Sequence, residues 1–401
     1  MSAEKFLPFS RPTLSPKAIA EVVACLRSGW LATGPRTAQF EEMLRDYFSA
    51  PHALTCVSAT AGLWMALKAL DLQPGDEVIT SPLTFVATLN TIVLAGGNPV
   101  LVDVEPGTYN LDIAKLPAAI TPRTRALMPV HFAGCPVDLD PLYALAAQHG
   151  LRVIEDCAHS IGAAYKGRRL GSFGDVQVFS FHPNKNMTTG EGGCVVTRDA
   201  KLAKRVELLR FHGIDRAGWS RHSKIENLGV HYDVVDAGFK SNFMDLQAAL
   251  GIHQLPALDG FNKKRRALAA RYTKLLRGLP GLTLPIAPAY PHTHAWHLFA
   301  PVVEAGAVVD RDTLIVELKR RQIGAGLHYV ACHLHSYYQK LCGWRRGDFP
   351  AAERISDGIL SLPLFPRLTE RDQTRVVRAL REIFLPAPPA KKPSQRARKK
   401  P

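Results

Sequence analysis

The feature that most constrains this chain is a series of short apolar runs spaced along its first half. They are Ala53–Val57, Glu77–Ser81, Pro99–Asp103, Ala126–Val130 and Arg152–Asp156. Helical patterns separate several of them, at Thr60–Leu70 and Phe85–Ala95. Runs that are apolar on both faces are buried on both faces. With helices between them they predict an α/β fold, a mostly parallel sheet covered by helices. In such a sheet ligands sit beyond the carboxyl ends of the strands, where helix N-termini point unpaired N–H groups. The polar residues that close these runs are therefore the first candidates for function.

The pattern changes after residue 200. Helices are predicted at Leu202–Phe211, Met244–Leu255 and Asn262–Leu276, with a polar surface loop over Gly213–Tyr232. Trp296–Val302 reads as a strand, and helical patterns follow near Asp312–Arg320, Ala351–Leu360 and Thr369–Phe384. A length of 401 residues suits one large and one smaller domain. We expect a large domain over 1–255, a linking helix and small α+β domain over 256–385, and a tail over 386–401. The tail, rich in proline, lysine and arginine, is expected to be disordered.

Composition narrows the class. Hydrophobic residues make up 46% and charged residues 21%, the balance of a globular chain and not of a disordered one. The first residues hold no apolar run suited to a signal, and no stretch is long enough to span a bilayer, so a cytoplasmic protein without membrane insertion is expected. Seven scattered cysteines without a C-x-x-C pair predict reduced thiols, with neither a disulfide framework nor a metal site. His328, His333 and His335 cluster around Cys332, but pocket and structural roles explain them better than a metal does. The net charge is +15, and without the six basic residues of the tail it is +9. An anionic small-molecule substrate is favoured over nucleic acid.

Lys185 stands out by its setting. The apolar run Val176–Ser180 leads to Phe-His-Pro-Asn-Lys185, then to the turn Gly190-Glu-Gly-Gly193 and a second apolar run, Cys194–Thr197. A lysine on a tight loop between buried strands should have a depressed pKa and act as a nucleophile. Asp156 closes another buried run, where a carboxylate requires a cationic partner or hydration. An amine paired with a strand-end acid is the equipment for Schiff-base chemistry on pyridoxal 5'-phosphate, in which the acid meets the pyridine nitrogen. Ser58–Gly62 joins a strand to a helix with small residues, as phosphate binding requires, and Thr60 adds a hydroxyl. Phe85 is placed to stack on a flat ring, Ser180 to bind phosphate, and His159 to touch the ring or its hydroxyl.

Taken in order, several motifs resemble the DegT/DnrJ/EryC1/StrS family of sugar aminotransferases. They are Trp30–Pro35, Ser58–Gly62, Glu155–His159, Phe179–Asn186, Gly190–Gly193, Met244–Gly251 and Leu360–Pro366. The resemblance spans about residues 6 to 384. Phe6–Pro12, Ser81–Asn90, His294–Phe299 and Gly326–Tyr329 are most similar to the branch that forms UDP-4-amino-4-deoxy-L-arabinose for lipid A modification. The resemblance implies fold-type I, with pyridoxal 5'-phosphate on Lys185, Asp156 at its ring nitrogen and Phe85 stacked on it. It also implies that Ala59, Thr60 and Ser180 hold the phosphate, with His159 near the ring. Asn242 matches a residue that reaches the phosphate of a neighbouring subunit, which implies a homodimer with shared active sites. Thr33 and His328 match positions near the substrate. Two departures are visible: Phe85 stands where some members of the branch carry tryptophan, and Asn184 where an aliphatic residue is common.

The implied activity is transfer of the amino group of glutamate, released as 2-oxoglutarate, to the 4-keto carbon of a UDP-linked pentose. Another nucleotide-linked keto-sugar, such as a 4-keto-6-deoxyhexose, would use the same residues. Related dehydratases carry histidine in place of the lysine, so Lys185 speaks against that chemistry. A regulator that keeps only the fold would not need the lysine, the acid and the phosphate set together.

Overall fold

The computed structural model describes residues 5–215 and 232–385. Most of the polar segment expected as a loop, and the whole basic tail, lie outside the described residues.

The large unit is built on a seven-stranded sheet. Its strands in chain order are β1 (His52–Cys56), β2 (Glu77–Thr80), β3 (Asn98–Leu101), β4 (Thr124–Met128), β5 (Arg152–Asp156), β6 (Val176–Ser180) and β7 (Gly193–Thr197). Their spatial order is β1-β7-β6-β5-β4-β2-β3. Neighbours from β3 through β6 are parallel, whereas β7 runs antiparallel to both β6 and β1. Every expected strand of the series is present within a residue or two of its predicted ends. The Lys185 segment, 181–192, joins β6 to β7 without a helix, and the chain returns beside β6 in the opposite direction.

Helix Ala59–Lys68 follows β1 and lies across β6 and β7. Packing there is tight enough to exclude a side chain at two glycines. A Cβ on Gly62 would come within 2.7 Å of Val178, and one on Gly193 within 2.5 Å of the Ala59 nitrogen. The strand that follows the lysine loop is thus pressed directly against the start of this helix. Two helices outside the expected set, Pro16–Ser28 and Pro35–Phe48, precede β1 and pack against helix Asp245–Gln254. Asp245 seals that contact, with one carboxylate oxygen accepting the Gly34 and Thr37 N–H groups at 2.8 and 2.9 Å. The Trp30–Pro35 and Met244–Gly251 motifs, far apart in sequence, form one corner of the molecule.

The C-terminal unit has its own hydrophobic cluster, drawn from helices Leu258–Leu276, Arg311–Arg320 and Glu370–Phe384. Leu7 belongs to this cluster and exchanges backbone bonds with Gln322 and Gly324, so the first described residues pack on the C-terminal unit. The expected strand over Trp296–Val302 is not formed. Trp296 has a positive φ of 49°, and the N–H groups of His297 and Leu298 go to Ala133 of the large unit. Only its last residue, Val302, enters a strand, the short Val302–Val303 paired antiparallel with Leu282–Thr283, and isolated bridges join Phe299 to Leu362 and Val302 to Ile359. The apolar run is buried because it crosses between the two units, which sequence alone does not distinguish from a strand. No helix among the described residues is long and apolar enough to cross a membrane.

Candidate active site

The carboxyl ends of β1, β5 and β6 converge on a cavity of about 420 Å³. Ala59, Thr60, Phe85, Asp156, His159, Ser180, Lys185 and His328 all line it, so eight of the expected site residues meet in one place. Ser58, Thr84, Glu191 and Tyr329 line it as well. Helix Ala59–Lys68 begins at its wall. Ser58 caps the helix by accepting the Ala61 N–H at 3.1 Å, which leaves the first-turn N–H groups of Ala59 and Thr60 for an anion. The Ser180 hydroxyl faces the same space from the end of β6.

Asp156 is only 5% exposed. One carboxylate oxygen accepts the Ala158 N–H at 3.0 Å and the other the Thr88 hydroxyl at 2.9 Å, and that hydroxyl lies 2.8 Å from Thr84. Burial raises its pKa against the pull of these neutral donors and of Lys185. Such a carboxylate is built to receive a further cation. Lys185 sits on the turn after β6, its N–H bonded to the His182 carbonyl. Burial pushes its pKa down to about 8, with Asp156 opposing the shift. Asn184 does not disturb it, because its side chain turns to His182 at 2.9 Å.

Phe85 is 55% exposed, a large ring left uncovered at the cavity wall, as a stacking partner for a flat ligand must be. His328 bonds Ser361 through Nδ1 at 3.0 Å, and burial lowers its pKa to about 4, so it is neutral. Tyr329 was not among the expected site residues, although it follows His328 directly in a motif singled out from sequence. Its phenol lies 2.9 Å from His159 Nε2. Thr88 was missed too. Its signal is a hydroxyl one helical turn after Thr84, on the face turned toward β5.

Thr33 and Asn242 do not border this cavity. They line a second one, of about 600 Å³, with Arg210, Phe211 and Lys240. The backbone of Asn242 bridges to Cys56, and its amide donates to the Thr33 hydroxyl at 2.6 Å. Neither side chain therefore reaches the Lys185 cavity of its own chain.

The donor and acceptor set fits pyridoxal phosphate: a helix start for the phosphate, a buried acid for the ring nitrogen, an exposed aromatic for the ring face and a depressed lysine for the aldehyde. Together with the mostly parallel sheet, this defines a fold-type I pyridoxal-phosphate enzyme. The chain belongs to the DegT/DnrJ/EryC1/StrS aminotransferase family, whose model matches residues 12–381. It is 45% identical over 383 residues to the spore coat polysaccharide biosynthesis protein SpsC of Bacillus subtilis, covering 94% of this chain and 97% of that one. The putative sugar aminotransferase Spr1654 of Streptococcus pneumoniae, in its apo form, superposes with a TM-score of 0.87 at 30% identity, over 94% of this chain and 97% of the other. That protein has also been solved in forms carrying pyridoxamine and pyridoxal phosphate. PseC of Helicobacter pylori, an aminotransferase of pseudoaminic acid biosynthesis, matches with a TM-score of 0.87 at 28% identity, over 95% and 99% of the two chains.

Proposed function

We propose that this enzyme moves the amino group of glutamate to the keto carbon of a nucleotide-linked sugar, with the 4-keto carbon of a UDP-pentose as the first substrate to test. The observation that carries the amino transfer is Lys185, with a pKa near 8, in the same cavity as buried Asp156. When bound, pyridoxal phosphate supplies the aldehyde that takes up the amino group and the ring that spreads the negative charge of the deprotonated carbon.

The residues divide the remaining work. The Asp156 carboxylate holds the proton on the ring nitrogen, and its burial strengthens that pairing. The Ala59 and Thr60 N–H groups and the Ser180 hydroxyl hold the phosphate. Phe85 covers one face of the ring. The amine of Lys185 takes the α-proton from the donor and returns a proton to the acceptor carbon. A pKa near 8 suits both directions, because the amine readily gains and releases a proton near working pH. Neutral His328 lines the substrate side without repelling a cationic amine.

Asn242 stands outside its own chain's cavity, the position expected of a residue that serves the site of a second copy. We therefore propose a homodimer in which each Asn242 reaches the partner's phosphate and Thr33 lies near the partner's sugar. The Lys185→Ala variant tests the amino transfer. It should bind the cofactor without the visible absorbance of the lysine-linked form and should lack turnover, and normal activity in it would defeat the assignment.

The lipid A branch is favoured by Gly326–Tyr329 and Ser81–Asn90. A second reading, another nucleotide-linked keto-sugar, is favoured by the 45% identity to SpsC, whose name places it in spore coat polysaccharide synthesis. Mixing the pyridoxamine-loaded enzyme with a UDP-4-keto-pentose, a 4-keto-6-deoxyhexose and a 3-keto sugar decides between them. The true substrate restores the aldehyde-form absorbance fastest.

A further inference from the structure

Tyr329 brings to the cavity a hydrogen that the protein does not use. His159 Nδ1 accepts the Ala133 N–H at 3.3 Å, so its lone pair is engaged and the ring hydrogen must sit on Nε2. That hydrogen points at the Tyr329 oxygen, 2.9 Å away. The phenol oxygen is thus an acceptor toward His159, and its own hydrogen is directed elsewhere. Among the described residues no acceptor receives it. The ring is held at 5.9 Å from His159, nearly parallel at 17°, and at 5.8 Å from Phe85. It therefore stands between the stacking aromatic and the imidazole at the cavity wall.

The cofactor has four polar sites. Its phosphate faces the helix start and Ser180, its ring nitrogen faces Asp156, and its aldehyde belongs to Lys185. The oxygen on the ring beside the aldehyde carbon is left. His159 was expected to serve it, yet the only hydrogen of His159 is committed to Tyr329. We propose that Tyr329 donates its phenolic hydrogen to that ring oxygen, with His159 as the positioning residue that aims the phenol. The inference rests on the reading that Lys185 carries pyridoxal phosphate.

The surroundings suit a donor that never ionises. Burial and the nearby Asp156 raise the phenol's pKa above its ordinary value. The other titratable groups around the pair are quiet. His328 and His297, which packs 4.4 Å from His159, are held neutral by burial, and burial pushes the Cys332 thiol up to about 12. Asp156 is paired with the ring nitrogen and Lys185 is covalently engaged. His182 and Glu191 also line the cavity, 3.9 Å from one another, so the titration is read from the cofactor's own visible absorbance.

The test is a pH titration of the visible absorbance of the loaded protein, in wild type, Tyr329→Phe and His159→Phe. A donor to the anionic ring oxygen favours the deprotonated form, so its loss should raise the midpoint by about one pH unit in Tyr329→Phe. His159→Phe leaves the phenol unaimed and should shift the midpoint the same way by less. An unmoved midpoint in Tyr329→Phe overturns the inference, because a phenol serving only as packing, or bonding only the substrate, would leave the resting titration unchanged. Should Tyr329→Phe fail to retain cofactor, an unmoved midpoint in His159→Phe overturns it instead. Wild-type protein that gains no visible absorbance from added pyridoxal phosphate would sink the cofactor reading and this inference with it. A wild type that titrates normally beside unmoved variants sinks this inference alone.

Discussion

Glu155 and Asp156 are adjacent on one strand, both buried, and turned to opposite faces of the sheet. Glu155 is fully enclosed. It accepts from His131 at 2.8 Å, from Tyr143 at 2.7 Å and from Gln177 at 2.5 Å, and His131 in turn accepts the Val137 N–H through Nδ1. With Nδ1 occupied in this way the imidazole is a neutral donor. The carboxylate is therefore satisfied by three neutral groups, and the close approach of His131, Glu155 and Cys157 is a closed network instead of a cation site. Among the described residues Asp156 receives two donors, and it opens onto the cavity. A carboxylate whose hydrogen bonds are complete holds the fold together, and one whose bonds are incomplete is available to a ligand.

The same near-isosteric change at the two positions should separate these roles. Asp156→Asn removes the charge opposed to the ring nitrogen. Breaking one side of a buried ionic pair costs about 3–5 kcal/mol, so turnover should fall by roughly two to four powers of ten with the fold intact. Steady-state rates of the loaded variant measure this. A loss under about tenfold would mean that the acid does not grip the ring.

Glu155→Gln should show the reverse. The new amide N–H₂ would confront donors that now reach a carboxylate, and a buried donor left unsatisfied costs about 1–3 kcal/mol. Urea unfolding should report a loss of about 2 kcal/mol, while the rate per folded molecule stays within a few-fold of wild type. A variant of full stability and low activity would reverse the assignments of the two acids.

These neighbours also show what the sequence could and could not reveal. The sheet was readable because each strand is a short apolar run, and Lys185 and Asp156 were readable because an amine and an acid at strand ends are chemically conspicuous. Glu155 carries the same charge one residue away. Its closure depends on Tyr143, Gln177 and His131 arriving from other elements, which no local pattern encodes. Tyr329 escaped notice for a related reason, since its role follows from where His159 keeps its hydrogen. Trp296–Val302 was misread because burial between two units and burial in a sheet leave the same apolar signature. Thr33 and Asn242 were expected at a site, and a single chain places them at a different cavity.

The donors on the open side of the comparison can be weakened one at a time. Thr88→Val keeps the shape and removes the hydroxyl that holds one oxygen of Asp156. A hydrogen bond to a charged group contributes about 1.5–3 kcal/mol, so cofactor affinity should fall by about tenfold to a hundredfold. Equilibrium titration of apoprotein with pyridoxal phosphate measures it. Unchanged affinity would mean that the Ala158 N–H alone fixes the carboxylate.

The smallest effect concerns the protein prepared without cofactor. Burial raises the Asp156 pKa in the folded apoprotein above the unfolded value of about 3.9. The folded state then keeps this proton to higher pH than the unfolded state does. Its contribution to stability is fully present below the unfolded pKa and is lost as pH rises through the folded one. Asp156→Asn has no such proton to lose. Urea unfolding of the two apoproteins at mildly acidic and neutral pH should therefore show wild type losing stability relative to the variant as pH rises. The difference should vanish or change sign once pyridoxal phosphate is bound, because the ionised carboxylate then has its partner. Parallel pH profiles in the apoproteins would mean that Asp156 is already as well satisfied as Glu155, and the distinction between the two acids would fail at its physical root.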